Sequence, residues 1–585
     1  MIKLIKNFTK KDWFLILICF TLIFGQVWLD LKIPDYMSEI TVLVQTKGSK
    51  MKDILTNGGY MMLCAFTSLA LAFLVGYISS NISATFSMKV RKKLFDKVEK
   101  LALSEVKQFS TSSLITRTTN DITQVQMFIS MGMQLLIKAP ITAIWAITKI
   151  LGKSWQWSVA TSIAVLILLV LIAIVIKVVI PRFKLIQKLN DKLNGVTREN
   201  LTGIRVIRAF NAEKYQTDKF EDANSSLTYQ HIFNQKIFAI LSPVMYLTMY
   251  FLTLSIYLIG VYLIKDAMLA DKISLFGDMV VFSSYAMQVI MSFLMLAMIF
   301  MMLPRASVSA SRINEVIEAK ITIKDGTYNS DTDIKGEVEF KNVSFKYPDA
   351  DEYLLKNISF KASKGETIAF IGSTGSGKST LINLVPRFYE VTDGEVLVDG
   401  INVKDYKLSC LNKKIGYVSQ KAVIFNGTIK SNVAYGEGIE KVTNEKIEEA
   451  IKVAQANDFV LKLDKKYDNH VAQSGTNLSG GQKQRLSIAR AIAKHPEIYI
   501  FDDSFSALDY KTDFNLRKEL KKYTKDATCL IVAQRIGTIM HADRIVVLDN
   551  GECVGIGTHK ELLKKCEVYK QIALSQITEE ELENA

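Results

Sequence analysis

The sequence predicts an all-α polytopic membrane domain of six transmembrane helices followed by a soluble α/β domain, and three observations lead there. Six long apolar stretches fill the first 320 residues. From about Lys335 onward, charged residues, glycines and short strand-like segments appear at ordinary globular density. A glycine-rich segment, GSTGSGKST, occupies residues 372–380 directly after an apolar strand pattern. At 585 residues the chain is too long for one typical domain. The expected division is a membrane domain over 1–320, a linker over 321–335 and the α/β domain over 336–585.

A membrane span needs ~20 mostly apolar residues to cross ~30 Å of hydrocarbon. Stretches near 13–31, 58–79, 129–151, 157–180, 238–264 and 278–303 meet that need. The third is the weakest, because Lys138 and Pro140 interrupt it. Basic residues follow the second span (Lys89, Arg91, Lys92, Lys93, Lys97, Lys100) and crowd the stretch between Arg182 and Lys236. By the positive-inside rule those connections face the cytoplasm. Each is about 50 residues long and helical in pattern, so the spans are expected to continue as helices beyond the bilayer. The outer connections are short except for residues 32–57. The basic start MIKLIKNFTKKDW leads into an apolar stretch too long for a signal peptide and without a small-residue cleavage site, so it reads as a retained anchor.

The net charge of +14 comes from these inter-span segments, and no groove-reading motif accompanies it, so nucleic acid is not an expected partner. The six cysteines (Cys19, Cys64, Cys410, Cys529, Cys553, Cys566) lack metal-ligand spacing and read as reduced structural thiols. Met279, Met287, Met291, Met295, Met298, Met301 and Met302 recur along the sixth span, several on one helix face. Methionine adapts to what it touches, so this face could line a pocket for varied apolar compounds or pack against lipid and other helices.

In the soluble half, GETIAFIG leads into the loop Gly372, Ser373, Thr374, Gly375, Ser376, Gly377, Lys378, Ser379, Thr380, which fits G-x-x-x-x-G-K-[ST]. Glycines let the backbone fold around a phosphate chain, its N–H groups point at the oxygens, and the following helix adds its positive end. Lys378 grips the outer phosphates and Ser379 sits on magnesium. Further on, EIYIFDD is an apolar strand ending in carboxylates. It puts Asp502 at the sheet edge beside the loop, where it can hold magnesium through water.

Together with NLSGGQKQR at 477–485, these elements resemble the ABC ATPase family over essentially the whole chain, which makes the second half an α/β P-loop ATPase domain of ABC type. The resemblance implies that Ser479, Gly480, Gly481 and Gln482 contact ATP held by an opposite subunit, another amide-and-dipole anion site. It further implies that Tyr347 stacks on adenine, that Gln420 of GYVSQ senses magnesium, and that Asp509 of SALD belongs to an inter-subunit loop. Residues 113–122 (SLITRTTNDI) and 199–213 (ENLTGIRVIRAFNAE) look like the two cytoplasmic loops whose coupling helices dock on nucleotide domains in ABC exporters.

Three positions depart from the family pattern. Asp503 stands where a catalytic glutamate normally follows Asp502, and Gln534 in LIVAQR stands where a histidine meets the terminal phosphate. Gln473 replaces a glutamate usual in exporters just before LSGGQ. A neutral amide can hydrogen-bond but cannot shuttle a proton as imidazole does. Two lost catalytic groups beside intact ATP-binding motifs resemble the degenerate-site subunit of heterodimeric multidrug-type exporters.

On that resemblance the chain is expected to be an integral membrane ATPase of a bacterial cytoplasmic membrane, with its N-terminus and ATPase domain in the cytoplasm. It would use ATP and Mg2+, weakly at its own site, and export hydrophobic or amphipathic compounds beside a non-identical half-transporter that carries the missing Glu and His. A lipid flippase, a peptide exporter, a homodimeric pump relying on Asp503, and an ATP-gated channel or regulatory subunit are the alternatives.

Overall fold

The computed structural model describes residues 2–46, 48–151, 155–330, 332–436 and 442–576. Contacts divide the chain into two compact units. One holds Met1–Lys100 and Phe109–Ala319, the other Leu101–Gln108 and Lys320–Ala585.

The first unit contains six helices long and apolar enough to cross a membrane. They are α1 (Lys10–Gln45), α2 (Met51–Val98), α4 (Ile122–Leu151), α5 (Trp155–Ala209), α6 (Glu213–Asp266) and α7 (Leu269–Ile317), with α3 (Leu103–Phe109) between α2 and α4. At ~1.5 Å per residue, the 55 residues of α5 span far more than a bilayer, as the helical pattern of the basic connections predicts. Their shared core includes Trp157, Phe282 and Tyr285, all but fully buried.

Two expectations about this unit are corrected. The outer connection over 32–57 is largely helical and not an irregular loop, because α1 runs through Pro34 to Gln45 and α2 begins at Met51. Pro34 is buried within the helix, and the neighbouring Asp35 is held by Lys149 at 2.9 Å and by the Tyr285 hydroxyl. Nor do Lys138 and Pro140 interrupt α4, which is continuous. Lys138 meets Asp30 of α1 at 3.0 Å, so its charge is paired inside the helix bundle instead of facing lipid. Along α7, Met279 is buried while Met287, Met291 and Met298 stay 41, 38 and 46 % exposed on one face. The side chain of Met301 lies outside the described residues.

Residues 113–122, expected to supply a docking helix, pack within the membrane unit. Arg117 Nη1 donates to the Arg312 carbonyl at 2.6 Å, and the Ser309 hydroxyl donates to Asp121 at 2.8 Å. The segment that clusters with the soluble unit is Leu101–Gln108, immediately upstream. There Glu105 accepts from the Thr322 amide at 2.7 Å, and Lys107 donates to the Tyr389 hydroxyl at 3.3 Å. At the other expected loop, Leu201, Val206 and Phe210 are exposed.

The soluble unit carries two main sheets. The smaller orders β2 (Leu355–Ala362), β1 (Val338–Phe345), β4 (Asp393–Val398) and β5 (Ile401–Asn402), all antiparallel. The larger has the order β12-β11-β3-β10-β9-β6, from β3 (Thr367–Gly372), β6 (Ile415–Val418), β9 (Ile498–Asp502), β10 (Thr528–Val532), β11 (Arg544–Asp549) and β12 (Glu552–Gly557). A short ribbon joins β7 (Gly427–Thr428) to β8 (His470–Val471). In the larger sheet every pairing is parallel except β11 with β12.

Its central strands read as continuous apolar runs because both faces are covered. Ile368, Phe370, Ile498, Ile500, Leu530 and Val532 point into one core, and Ala369, Ile371, Tyr499, Phe501, Cys529 and Ile531 into the other. The parallel register sets Val532 beside both Phe370 and Asp502, and Val418 beside Phe501. Four strand ends therefore finish together along one sheet edge, the usual place for a ligand site in such a sheet.

A buried ion cluster ties the linker to this unit. Lys414 Nζ meets Asp399 at 2.7 Å, Glu497 at 2.9 Å and the Thr332 hydroxyl at 3.0 Å. Removing one partner of a buried pair leaves uncompensated charge and costs ~3–5 kcal/mol. Lys414→Met in the full chain should lower the unfolding midpoint of the soluble unit accordingly in thermal denaturation. Adding Asp399→Asn, which keeps the left-handed turn and the acceptor for the Glu337 amide, together with Glu497→Gln should recover part of the loss.

Candidate nucleotide site

The shared sheet edge opens on a cleft of about 640 Å3 lined by Tyr347, residues of the 372–380 loop, Gln420, Asp503 and Gln534, with Ile572 and Gln576 from further down the chain. Each strand end delivers one part. β3 leads into the glycine loop and the short helix α8 (Lys378–Asn383), β6 leads to Gln420, β9 ends in Asp502, and β10 leads to Gln534.

The glycines act in different ways. A Cβ on Gly372 would stand 2.0 Å from the Leu548 carbonyl oxygen, and one on Gly377, whose φ is +91°, would strike Leu355 at 2.6 Å. Gly375 is left-handed at φ +88° with nothing within 4 Å of a Cβ position, so its backbone borders open space in the cleft. Lys378 curls over this loop, donating to the carbonyls of Gly372 at 2.9 Å and Ser373 at 2.7 Å. Burial pushes its pKa down, opposed by the charges of Asp503 and Asp502. An ammonium held by neutral carbonyls beside open space is placed to exchange them for a phosphate oxygen.

Asp502 is buried at 5 % exposure. It accepts from the Ser379 hydroxyl at 2.6 Å and stands 3.5 Å from the Tyr417 hydroxyl. Burial raises its pKa, the Ser379 bond opposes that, and the Asp503 charge adds to it. Ser379 and Gln420 line the cleft and Asp502 is bonded to Ser379 behind it; their side-chain oxygens are the hard donors that Mg2+ beside a phosphate chain takes. Among the described residues no three His, Cys, Asp or Glu side chains cluster as a metal site by themselves.

Asp503 follows with φ at +46°, a left-handed turn that aspartate tolerates and that swings its carboxylate out of the strand. One oxygen, Oδ2, accepts from Gln534 Nε2 at 2.9 Å and Gln420 Nε2 at 3.2 Å. Burial holds the Asp503 pKa above its ordinary value, with the Gln420 bond and the charges of Arg535 and Lys378 opposing. The carboxylate thus rests on two neutral amides, neither of which can take up a proton.

Tyr347 is fixed at the cleft wall, its hydroxyl 2.9 Å from Thr380 Oγ1 and its ring edge-on to Phe345 and Tyr389. The structure does not bring Ser479, Gly480, Gly481 or Gln482 into this cleft. Ser479 and Gln482 form a capping box at the start of α9 (Gly480–Ala493), and a Cβ on Gly480 would meet nothing within 4 Å. Asp509 caps α10 (Tyr510–Tyr523) by accepting from the Thr512 amide at 3.0 Å. Gln473 is exposed in a short turn. Sequence reasoning missed Tyr417, Ile572 and Gln576. Tyr417 lies three residues before Gln420 in GYVSQ and could have been suspected, whereas nothing in the local pattern marks the other two.

Comparison with known proteins agrees with this geometry. Residues 14–293 match the family model of the ABC transporter transmembrane region, and residues 355–506 match the family model described as ABC transporter. An uncharacterized ABC transporter ATP-binding protein of Mycobacterium tuberculosis is 37 % identical over 523 residues, covering 88 % of this chain and 87 % of the relative. The uncharacterized protein YfiB of Bacillus subtilis is 37 % identical over 523 residues, 89 % of this chain and 90 % of the relative. The ATP-dependent lipid A-core flippase of Pseudomonas aeruginosa is 32 % identical over 512 residues, 88 % of this chain and 83 % of the relative. In fold, the chain superposes on a bacterial Atm1-family ABC exporter solved with ATP bound, with a TM-score of 0.82, 23 % identity and coverage of 97 % of this chain and 99 % of that one. A membrane region and an ATP-binding domain in one exporter-type half-transporter, matched along most of its length by curated relatives, make this chain a member of the ABC transporter family.

Proposed function

We propose that this chain is the slow-site subunit of a heterodimeric ATP-driven exporter that moves hydrophobic or amphipathic compounds out of the cytoplasm or inner leaflet. The observation that carries the reading is the Asp503 carboxylate, held at the cleft by the Gln420 and Gln534 amides where a longer acid and an imidazole would serve hydrolysis. Aspartate is one C–C bond shorter than glutamate, about 1.5 Å, and a ~1 Å misplacement can cost ~10²-fold in rate.

ATP would lie with its phosphates against the 372–380 amides and Lys378, and its adenine at Tyr347. Mg2+, held by Ser379, Gln420 and, through water, Asp502, would supply charge neutralisation on the phosphates. Ser479 to Gln482, apart from the cleft and at the N-terminus of a capped helix, would complete the cleft of a non-identical partner that carries Glu and His. Closure of the paired ATPase domains would drive alternating access, with the chain in a bacterial cytoplasmic membrane and its ATPase domain in the cytoplasm. The exposed face of Met287, Met291 and Met298 would contribute an adaptable apolar surface to the transport path. The lipid A-core flippase relative favours one second reading, an amphipathic lipid as cargo. Uptake of labelled lipids and of small dyes into inverted vesicles separates the two.

Purified alone in lipid, the chain should hydrolyse ATP barely above background, and Asp503→Glu with Gln534→His should raise the rate by ~10²-fold or more. Brisk turnover by the unaltered chain would instead establish a homodimer working through Asp503. In the assembled transporter, Lys378→Ala should weaken ATP binding at this chain's site while leaving most turnover. Ser479→Ala should depress overall hydrolysis further, by ~10²-fold; equal abolition by both would sink the asymmetric assignment. Residual turnover that uses Asp503 as base needs its charged form. It should therefore be present above the raised pKa and lost as pH falls through it, with an acid limb above the ordinary 3.8 that disappears in Asp503→Asn.

A further inference from the structure

The helix α11 (Glu567–Leu574) borders the nucleotide cleft although no motif marks it. Tyr569 and Ala573 are fully buried in the core under the larger sheet, and the Tyr569 hydroxyl meets His559 Nδ1 at 2.7 Å. Two anchors of this kind fix where the following residues emerge.

Two residues beyond the helix, the Gln576 carboxamide forms two bonds to the loop after β10. Its Nε2 donates to the Gln534 carbonyl at 2.8 Å, and its Oε1 accepts from the Ile536 amide at 2.9 Å. A side-chain amide pairing with a carbonyl and with the N–H two residues on copies one rung of a β-ladder. The two bonds bracket Gln534, Arg535 and Ile536, fixing the backbone from which the Gln534 side chain reaches Asp503. Ile572 and Gln576 line the same cleft as Lys378, Gln420, Asp503 and Gln534.

We propose that Gln576 is a positioning residue of the nucleotide site, and that α11 acts as a strap setting Gln534 against Asp503 and the terminal phosphate of ATP. The proposal rests on the reading of Gln534 as the group that meets that phosphate. Through the clamp, the folding of α11 is coupled to the time ATP stays bound.

The test is the release rate of a fluorescent ATP analogue, with Mg2+, from the full chain in lipid nanodiscs. The variants are Gln576→Ala, Gln534→Ala and the two combined, alongside Gln576→Glu, which keeps the acceptor for Ile536 but sets a carboxylate against the Gln534 carbonyl. Hydrogen exchange at the Ile536 amide reports the clamp directly. Gln576→Ala and Gln534→Ala should each speed release about tenfold, the loss of roughly one good hydrogen bond. The combination should be no faster than Gln534→Ala, because both act through one side chain, and Gln576→Glu should fall between. Exchange at Ile536 should rise in Gln576→Ala.

Multiplicative losses in the combined variant would overturn the proposal, as would an unchanged release rate in Gln576→Ala where Gln534→Ala is fast. In both cases the reading of Gln534 itself would stand. Unchanged release in Gln534→Ala would remove that reading and the clamp with it. If Gln576→Ala does not fold, Gln576→Glu and its combination with Gln534→Ala decide on the same criteria.

Discussion

Two adjacent carboxylates at the end of a strand buried on both faces set the main constraint on the soluble unit. Asp502 and Asp503 sit at 5 and 7 % exposure beside each other, and an isolated buried charge is among the costliest things a fold can hold. Everything around them compensates. A hydroxyl and a phenol serve Asp502, two amides serve Asp503, and Lys378 and Arg535 bring opposite charge close by. The apolar strand delivers the acids to one place because its own side chains have nowhere to go but the two cores. An apolar necessity thus builds a polar site.

How much of this was visible in the residues varies with the range of the interaction that decides it. The glycine loop, Lys378, Ser379 and Asp502 were legible because each is fixed by chemistry within a strand–loop–helix segment of a few residues. The two departures, Asp503 and Gln534, were legible as substitutions, but their meeting on one carboxylate oxygen was not, since it depends on the register of β9 with β10. Ile572 and Gln576 were invisible for a related reason: a glutamine after an amphipathic helix looks like any surface residue until the fold carries it next to Gln534. In the membrane unit, length and apolarity located all six helices, whereas Lys138 and Pro140 misled. A lone lysine in an apolar span is costly, and Asp30 on α1 relieves that cost by pairing with Lys138.

The membrane unit and the site treat charge by the same rule. Lys138 with Asp30 and Lys149 with Asp35 keep cations on α4 within reach of anions on α1, so the two helices are matched in charge as well as shape. In the cleft, the ammonium of Lys378 is parked on loop carbonyls. One arrangement closes on itself. The other is left open on the side where a phosphate would come.

The grouping of Leu101–Gln108 with the ATPase unit has a practical meaning for anyone cutting the gene. A fragment started near the linker would look complete by every motif it contains, yet it would lack Glu105, which caps the Thr322 amide, and Lys107, which covers the rings of Tyr347 and Tyr389. The ring of Tyr347, which borders the cleft, and that of Tyr389 packed against it would lose the ammonium that stands over them. The natural border of this enzyme is drawn by contact and not by chain order, so a faithful soluble version would have to carry that eight-residue segment back as a graft.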